Sequence, residues 1–170
     1  MANSVKIADA ELREAAAEGP IVFLNLILDR IAEVTGDEFG AEQMQLLSGN
    51  QHALNAFRLL MEAFEIGGFL HIIQDGLGPY LFDNPFAKAL RLWGAHDLSN
   101  QVYKAKRVFD ANRMEMMEIA ETEEQFAAFF DKFQPEFEKI DQEVDRLLPQ
   151  SAAALATYVD EHLTDFIEIV

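Results

Sequence analysis

Among the side chains of this sequence that could do chemistry, carboxylates are the most numerous, and several of them recur at helical spacing. In the segment that follows Pro135, Glu138, Asp141 and Asp145 are three and four residues apart, so a helix would place them on one face. That face would be about 10 Å long, close to the separation of a few neighbouring phosphates along a DNA strand. Three further carboxylates near the end of the chain are Asp160, Glu161 and Asp165. We predict that these six residues bind a phosphate-binding surface of a basic protein; an ordinary solvated helix face is the alternative.

Histidines and serines give much weaker indications of chemistry. None of the four histidines lies in a His-Glu-x-x-His motif, and no two share metal-ligand spacing on one helix. His71 and Asp75 are four residues apart and could meet on one face of a helix. The four serines lack a Gly-x-Ser-x-Gly context, and the glycines between positions 67 and 78 do not form a phosphate-binding fingerprint. We therefore expect no catalytic residue, metal ligand or cofactor, and keep a small hydrolase or metal enzyme around His71 and Asp75 as the alternative from another class.

The net charge is −17, from 13 basic and 30 acidic residues, and it is unevenly distributed. Residues 1–60 carry −5, residues 61–110 carry −1, and residues 111–170 carry −11. Such a field repels nucleic acid and anionic lipid and attracts basic surfaces in a salt-dependent way. Solubility alone is the competing explanation, because net charge governs association and not fold.

Size and composition predict a single acidic domain over residues 1–170. Half of the residues are apolar and fourteen are Phe, which is ample for a packed core. Cysteine is absent, which excludes disulfides and thiolate sites and fits a reducing cytoplasm. The sequence starts without the pattern of a secretory signal, and no apolar run approaches the ~20 residues that a bilayer requires. We expect a cytoplasmic protein.

Apolar spacing and helix-terminating residues predict an all-α protein, an array of about seven to ten helices. The predicted helices cover residues 8–18 with Asp9 as N-cap, 20–34, part of 37–49, 51–66, a helix opened by Asn84-Pro85 and ending at Gly94, one capped by Asp97, and 113–120. Residues 69–74 are predicted to be a buried segment that is too short to stand alone. Residues 75–79 are predicted to be a loop. No segment of six residues alternates as a strand would.

Three more helices are predicted in the C-terminal third. Thr122 opens the first with a capping-box pattern, Pro135 opens the second, which ends at Pro149, and Ser151 caps the third. Phenylalanines spaced by three and four residues, starting at Phe126, predict a core stripe. Six residues are predicted to be largely buried: Phe57, Phe69, Trp93, Phe130, Phe133 and Ile140.

Apolar residues in the loop after Gly76 suggest a homodimer. Leu77, Tyr80, Leu81 and Phe82 exceed what one apolar stripe per helix requires. Exposed together, they would form a patch of the kind that marks interfaces. Local coverage of the core is the alternative.

The central region resembles a bacterial family formerly of unknown function. Gly67-Gly68-Phe69, followed about twenty residues later by Ala89-Leu90-x-x-x-Gly94-Ala95, is similar to its Gly-Gly-Phe and Ala-Leu-x-x-x-Gly-Ala pattern, with Ile66 where the family commonly has Asn. The resemblance extends over residues 50–170. It implies a link to DNA mimicry, in which dimers engage a transcription factor through acidic surfaces, and it implies no catalytic residue.

Together these features predict an acidic helical binding protein, not an enzyme. It would be a DNA mimic or decoy that occupies the DNA-binding surface of a basic partner: a transcription factor, a nucleoid protein or a nuclease. It would bind neither nucleic acid nor membrane directly. An immunity or antitoxin-like inhibitor of a basic toxin is the alternative, and it would need one concave, shape-matched epitope.

Overall fold

A computed structural model describes residues 5–36 and 40–170. In chain order the α-helices are α1 (Asp9–Glu18), α2 (Pro20–Thr35), α3 (Ala41–Met44), α4 (Gly49–Ile66), α5 (Phe69–Gln74), α6 (Gly78–Phe82), α7 (Phe86–Leu92), α8 (His96–Ala111), α9 (Arg113–Met116) and α10 (Glu123–Glu161). A 3-10 helix covers Leu163–Asp165. Part of the short helix and turn predicted at 37–49 lies outside the described residues. No described helix is both long and apolar enough to cross a bilayer.

The prediction of an all-α protein is confirmed. The strand content of the described residues is a two-stranded parallel ribbon, β1 (Lys6–Ile7) and β2 (Glu168–Ile169). Lys6 pairs with Glu168 in the ribbon, and their side chains form an exposed ion pair at 3.8 Å. The ribbon therefore joins the two ends of the described chain and leaves the helices as the main architecture.

The chain forms two compact units. One contains the described part of residues 1–55 together with Pro149–Val170, and the other contains Ala56–Leu148. In the first unit, α1 packs against α2, and the buried amide of Gln51 donates to the Phe166 carbonyl at 2.6 Å. In the second unit, α7 packs against α8, and the buried Ser99 hydroxyl donates to the Ala87 carbonyl at 2.6 Å. The prediction of one domain over residues 1–170 stays a prediction.

Two helices start at a Ser or Thr whose side-chain hydroxyl accepts a hydrogen bond from the backbone amide of a Gln three residues later. The Thr122 hydroxyl accepts from the Gln125 amide at 3.1 Å, which confirms the predicted start of α10. Ser48 and Gln51 form a reciprocal pair at the start of α4, in which the backbone amide of each donates to the side-chain oxygen of the other, and α4 begins two residues before its predicted start. The polar groups of Ser48 therefore start α4 before its first predicted residue.

Other predicted caps are displaced by one or two positions. Asp9 is the first residue of α1, and Asp97 is the second residue of α8. Pro85 occupies the N-cap of α7, one position before its predicted place. The Asn84 amide instead donates to the Tyr80 carbonyl of the preceding helix, at 2.9 Å. Helix α9, predicted to cover residues 113–120, ends at Met116.

The predicted loop with an exposed apolar patch is wrong. Residues 78–82 form α6, whose first turn contains Pro79. Tyr80, Leu81 and Phe82 are buried, and Leu77 is partly buried. The Phe82 ring packs 5.1 Å from Phe109 and 5.9 Å from Phe69 between ring centroids. These side chains complete the core, so they offer no surface for a second copy.

The C-terminal third differs most from its prediction. Residues 123–161 form one continuous helix, α10, where three were predicted. Pro135, Pro149 and Ser151 lie inside it. Buried residues recur at helical spacing across both prolines: Phe133, Phe137, Val144, Leu147, Ala152, Leu155, Ala156 and Val159. Each large apolar side chain buried in this stripe stabilises the folded helix by about 1.5–3 kcal/mol. Together they offset the ~3 kcal/mol that each internal proline costs.

Burial confirms part of the predicted core. Phe57 and Phe69 are fully buried, and Trp93 and Phe133 are nearly so. Phe130 and Ile140 are only partly buried, and the predicted stripe begins at an exposed Phe126. The first two turns of α10 therefore leave apolar surface exposed.

Candidate partner-binding surface on helix α10

Helix α10 carries far more unpaired negative than positive charge. It contains ten acidic and three basic residues. Eight of these carboxylates are exposed and have no ion pair within the described chain: Glu123, Glu124, Asp131, Glu136, Glu138, Asp145, Asp160 and Glu161. Two of its three basic side chains are paired, Lys132 with Glu115 and Arg146 with Glu143, which leaves Lys139. The helix therefore presents its carboxylates to solvent without internal neutralisation.

Five of the six predicted partner-binding residues share this environment. Glu138 and Asp145 are exposed on α10 in the second unit. Asp160 and Glu161 are exposed at the end of α10 in the first unit, and Asp165 is exposed on the 3-10 helix that follows. Each carboxylate is accessible to a basic partner.

Asp141 is the exception, because its carboxylate packs against the start of α5. The Phe69 amide lies 3.5 Å from Asp141 Oδ1, at the N-terminus of that helix. Gly68, the N-cap, has φ +76°. A Cβ on Gly68 would lie 2.5 Å from Asp141 Oδ2, closer than a Cβ approaches a non-bonded oxygen atom. The glycine therefore provides the space that the carboxylate occupies, and Asp141 positions α5.

Burial of Asp141 changes its acidity. Loss of solvent, together with the negative charge of Asp145, raises the pKa of its carboxyl from 3.8 to about 7, against the lowering effect of the Phe69 amide. The folded protein therefore binds this proton more tightly than the unfolded chain does. The free energy of unfolding should decrease as the pH rises from about 4 to about 7.

Asp141→Asn should remove this pH dependence, because the amide side chain does not titrate. Between pH 5 and pH 8 the variant should gain about 1–2 kcal/mol relative to the original protein, allowing for solvent at the half-buried carboxylate. Urea unfolding of both proteins at the two pH values measures this difference. Asp131→Asn, at an exposed position of α10 whose charge does not act on Asp141, is the control. An Asp141→Asn protein with the same loss of stability as the original between these pH values would contradict the assignment.

The other half of the family pattern also builds the fold. Gly94, with φ +90°, ends α7 in a Schellman motif: its amide donates to the Arg91 carbonyl, and the Ala95 amide donates to the Leu90 carbonyl at 2.8 Å. Trp93 and Ala95 beside it are buried. The Gly-Gly-Phe and Gly-Ala segments are therefore structural.

The pair predicted as the centre of an alternative enzyme lies at the surface of α5. His71 Nε2 is 3.3 Å from Asp75 Oδ2, one helical turn away, and the two side chains are 30% and 54% exposed. The described residues contain no group of three or more His, Cys, Asp and Glu side chains placed to hold a metal ion. Nothing at this pair supports the enzyme alternative.

A cleft beside α10 combines carboxylates with aromatic surface. It has a volume of about 450 Å³ and is lined by Glu115, Glu118, Glu121 and Phe129, among others. Lys132 pairs with Glu115 at its edge. The position of these acids beside Phe129 depends on a tertiary contact that no local sequence pattern indicates.

The fold and this surface define an acidic, all-α protein with unpaired carboxylates along its longest helix. Residues 45–162 match the model of a family described as DMP19-like protein, so the chain belongs to the DMP19-like family. A relative from Neisseria meningitidis serogroup B (strain ATCC BAA-335 / MC58) is named DNA mimic protein DMP19. It is 29% identical over 150 residues, which cover 88% of this chain and 90% of that protein.

Proposed function

We propose that this protein is a DNA mimic that occupies the DNA-binding surface of a basic partner with the carboxylates of α10. The partner would be a transcription factor, a nucleoid protein or a nuclease. The observation that carries the proposal is the set of eight exposed α10 carboxylates without an ion pair, against one unpaired lysine. Membership of the DMP19-like family, and the name of the relative from Neisseria meningitidis, agree with it.

Exposure and pairing make these carboxylates suitable substitutes for phosphates. A DNA-binding surface carries lysine and arginine side chains that neutralise phosphates and release condensed counterions. A carboxylate already paired within its own chain would have to break that pair first. Glu138 and Asp145 need no such step, and neither do Asp160 and Glu161. Each close pair at an exposed site is worth only about 1 kcal/mol, so affinity would come from several together.

The acidic cleft beside α10 supplies a second kind of contact for the same partner. Glu118 and Glu121 would attract a basic side chain, and Phe129 would pack against its aliphatic part. Phe126, 41% exposed one turn earlier, extends this apolar surface.

Homodimer formation and a cytoplasmic location remain part of the proposal.

Competition between this protein and DNA for one partner tests the proposal. Immobilised protein would capture partners from a native lysate at about 50 mM salt, and duplex DNA would then be added. We expect the captured proteins to be DNA-binding proteins and to be released by duplex DNA, because the two ligands share one surface. Capture of proteins that excess duplex DNA does not release would contradict DNA mimicry. An inhibitor of a toxin active site would give that second result.

A further inference from the structure

A groove between α8 and α10 in the second unit concentrates positive charge in this acidic protein. Its volume is about 740 Å³. Five basic residues from three helices line it: Arg91, Lys104, Lys106, Arg107 and Arg146. Three carboxylates also line it, so the groove carries +2, whereas the other charged residues of the chain carry −19. The groove is therefore a local site of opposite charge, which the net charge of the chain does not explain.

Two of the five basic residues are neutralised within the groove. Lys106 Nζ lies 2.6 Å from Asp110 Oδ2, and an Arg146 guanidinium nitrogen lies 2.7 Å from a Glu143 carboxylate oxygen. Hydrogen bonding to Arg146 holds the pKa of the exposed Glu143 carboxyl below its usual range. These pairs form part of the wall and do not account for the remaining basic side chains.

The other three basic residues form no ion pair among the described residues, although the charge of Lys104 acts on the nearby Glu143 carboxyl. Arg91 donates to a neutral oxygen, Asn100 Oδ1, at 2.7 Å. Lys104 and Arg107 are exposed and form no ion pair within the described chain. They are three residues apart on α8, which is about 4.5 Å along the helix axis. Three basic side chains without an ion pair and one such carboxylate, Asp97, thus line one groove and leave a net +2 with donors for a ligand.

We propose that this groove binds a compact phosphorylated small molecule with two to four negative charges, held by Arg91, Lys104 and Arg107. Guanidinium groups bind phosphate oxygens in pairs, and an ammonium group adds a compact point charge. The volume lies within the ~300–1,000 Å³ of small-molecule sites. Tyr103, 38% exposed at the edge, offers a ring against which a planar group of the ligand would pack.

Charge and spacing favour a compact ligand over a polymer. Duplex DNA or RNA would extend beyond the groove toward a chain that carries −19 elsewhere, and would be repelled. An extended acidic peptide places side chains of one face about 7 Å apart. The charges of linked phosphates lie closer together than those of such a peptide. They therefore suit the spacing of Lys104 and Arg107, about 4.5 Å along the helix axis, better.

Calorimetric titration of the full chain with tripolyphosphate at about 50 mM salt, without metal ions, tests the site. We expect saturable binding at one site, weakened at least tenfold in Lys104→Gln/Arg107→Gln. Arg13→Gln/Lys139→Gln removes two exposed positive charges outside the groove and makes the same change in net charge. It should change the affinity less than twofold. Thermal unfolding would verify that both variants are folded.

Several results would overturn this proposal. These are no binding of tripolyphosphate to the original protein, equal weakening in both variants, or equally tight binding of hexaglutamate or of a twenty-residue thymidine oligonucleotide. The proposal does not rest on DNA mimicry. The variant Lys104→Gln/Arg107→Gln separates the two proposals. It should still capture a partner that duplex DNA releases, although it no longer binds tripolyphosphate tightly.

Discussion

Glu138→Lys/Asp145→Lys should weaken partner binding by about ten- to a hundredfold at about 50 mM salt. Both side chains are exposed and unpaired, so reversing each charge turns an attraction into a repulsion, a change of about 0.7–1.4 kcal/mol per site in water. At about 500 mM salt the same change should cost less than threefold, because the screening length falls to a few ångström. Affinity for the partner identified by DNA-displaced capture, measured across this range of salt, checks the prediction.

The matched control reverses two exposed acids on other helices. Asp29→Lys/Glu65→Lys changes the net charge by the same amount on α2 and α4. If both double variants lose the same affinity, the partner responds to total charge and α10 is not its binding surface. Asp141 is left unchanged in both, because replacing it would also disturb α5.

Gly68→Ala should lower the free energy of unfolding by about 2–4 kcal/mol. Its φ of +76° is unfavourable for alanine, and the new Cβ would lie 2.5 Å and 2.8 Å from Oδ2 and Cγ of Asp141. For a chain of this length, that is a fall of roughly 5–15 °C in Tm. Urea and thermal unfolding measure both quantities.

The neighbouring glycine is the control. Gly67 has no positive φ, and a Cβ there would meet only His71 Cβ, at 3.4 Å. Gly67→Ala should therefore change the free energy of unfolding by less than about 1 kcal/mol. Asp141→Ala added to Gly68→Ala should recover the part of the loss that comes from the clash. Equal losses from the two glycine variants would mean that the Gly68–Asp141 contact does not shape this turn.

Local patterns predicted the fold class and most helices, because caps and apolar spacing act over a few residues. The Thr122 capping box marked the start of α10 correctly. Proline was misleading for the same reason. Pro135 and Pro149 do disfavour a helix locally, but the stripe from Phe133 to Val159 is buried by distant elements that no window of sequence contains.

The candidate surface was only partly predictable. Helical spacing grouped Glu138, Asp141 and Asp145, yet of the three Asp141 alone lies against Phe69, 72 residues earlier. No periodicity distinguishes it from its neighbours. The basic groove did have a sequence signal. Residues 86–113 contain six of the thirteen basic residues and two acidic ones, a reversal of sign that dividing the chain at residue 110 concealed.

The contact between Gly68 and Asp141 has an evolutionary consequence. A side chain at position 68 and a carboxylate at position 141 compete for one space, so relatives should keep or lose the two together. The exposed acids of α10 obey no such rule, since a lost carboxylate can be replaced one turn away with the charge preserved. A map of invariant positions across the family would therefore highlight the turn at α5 and pass over the surface that meets the partner.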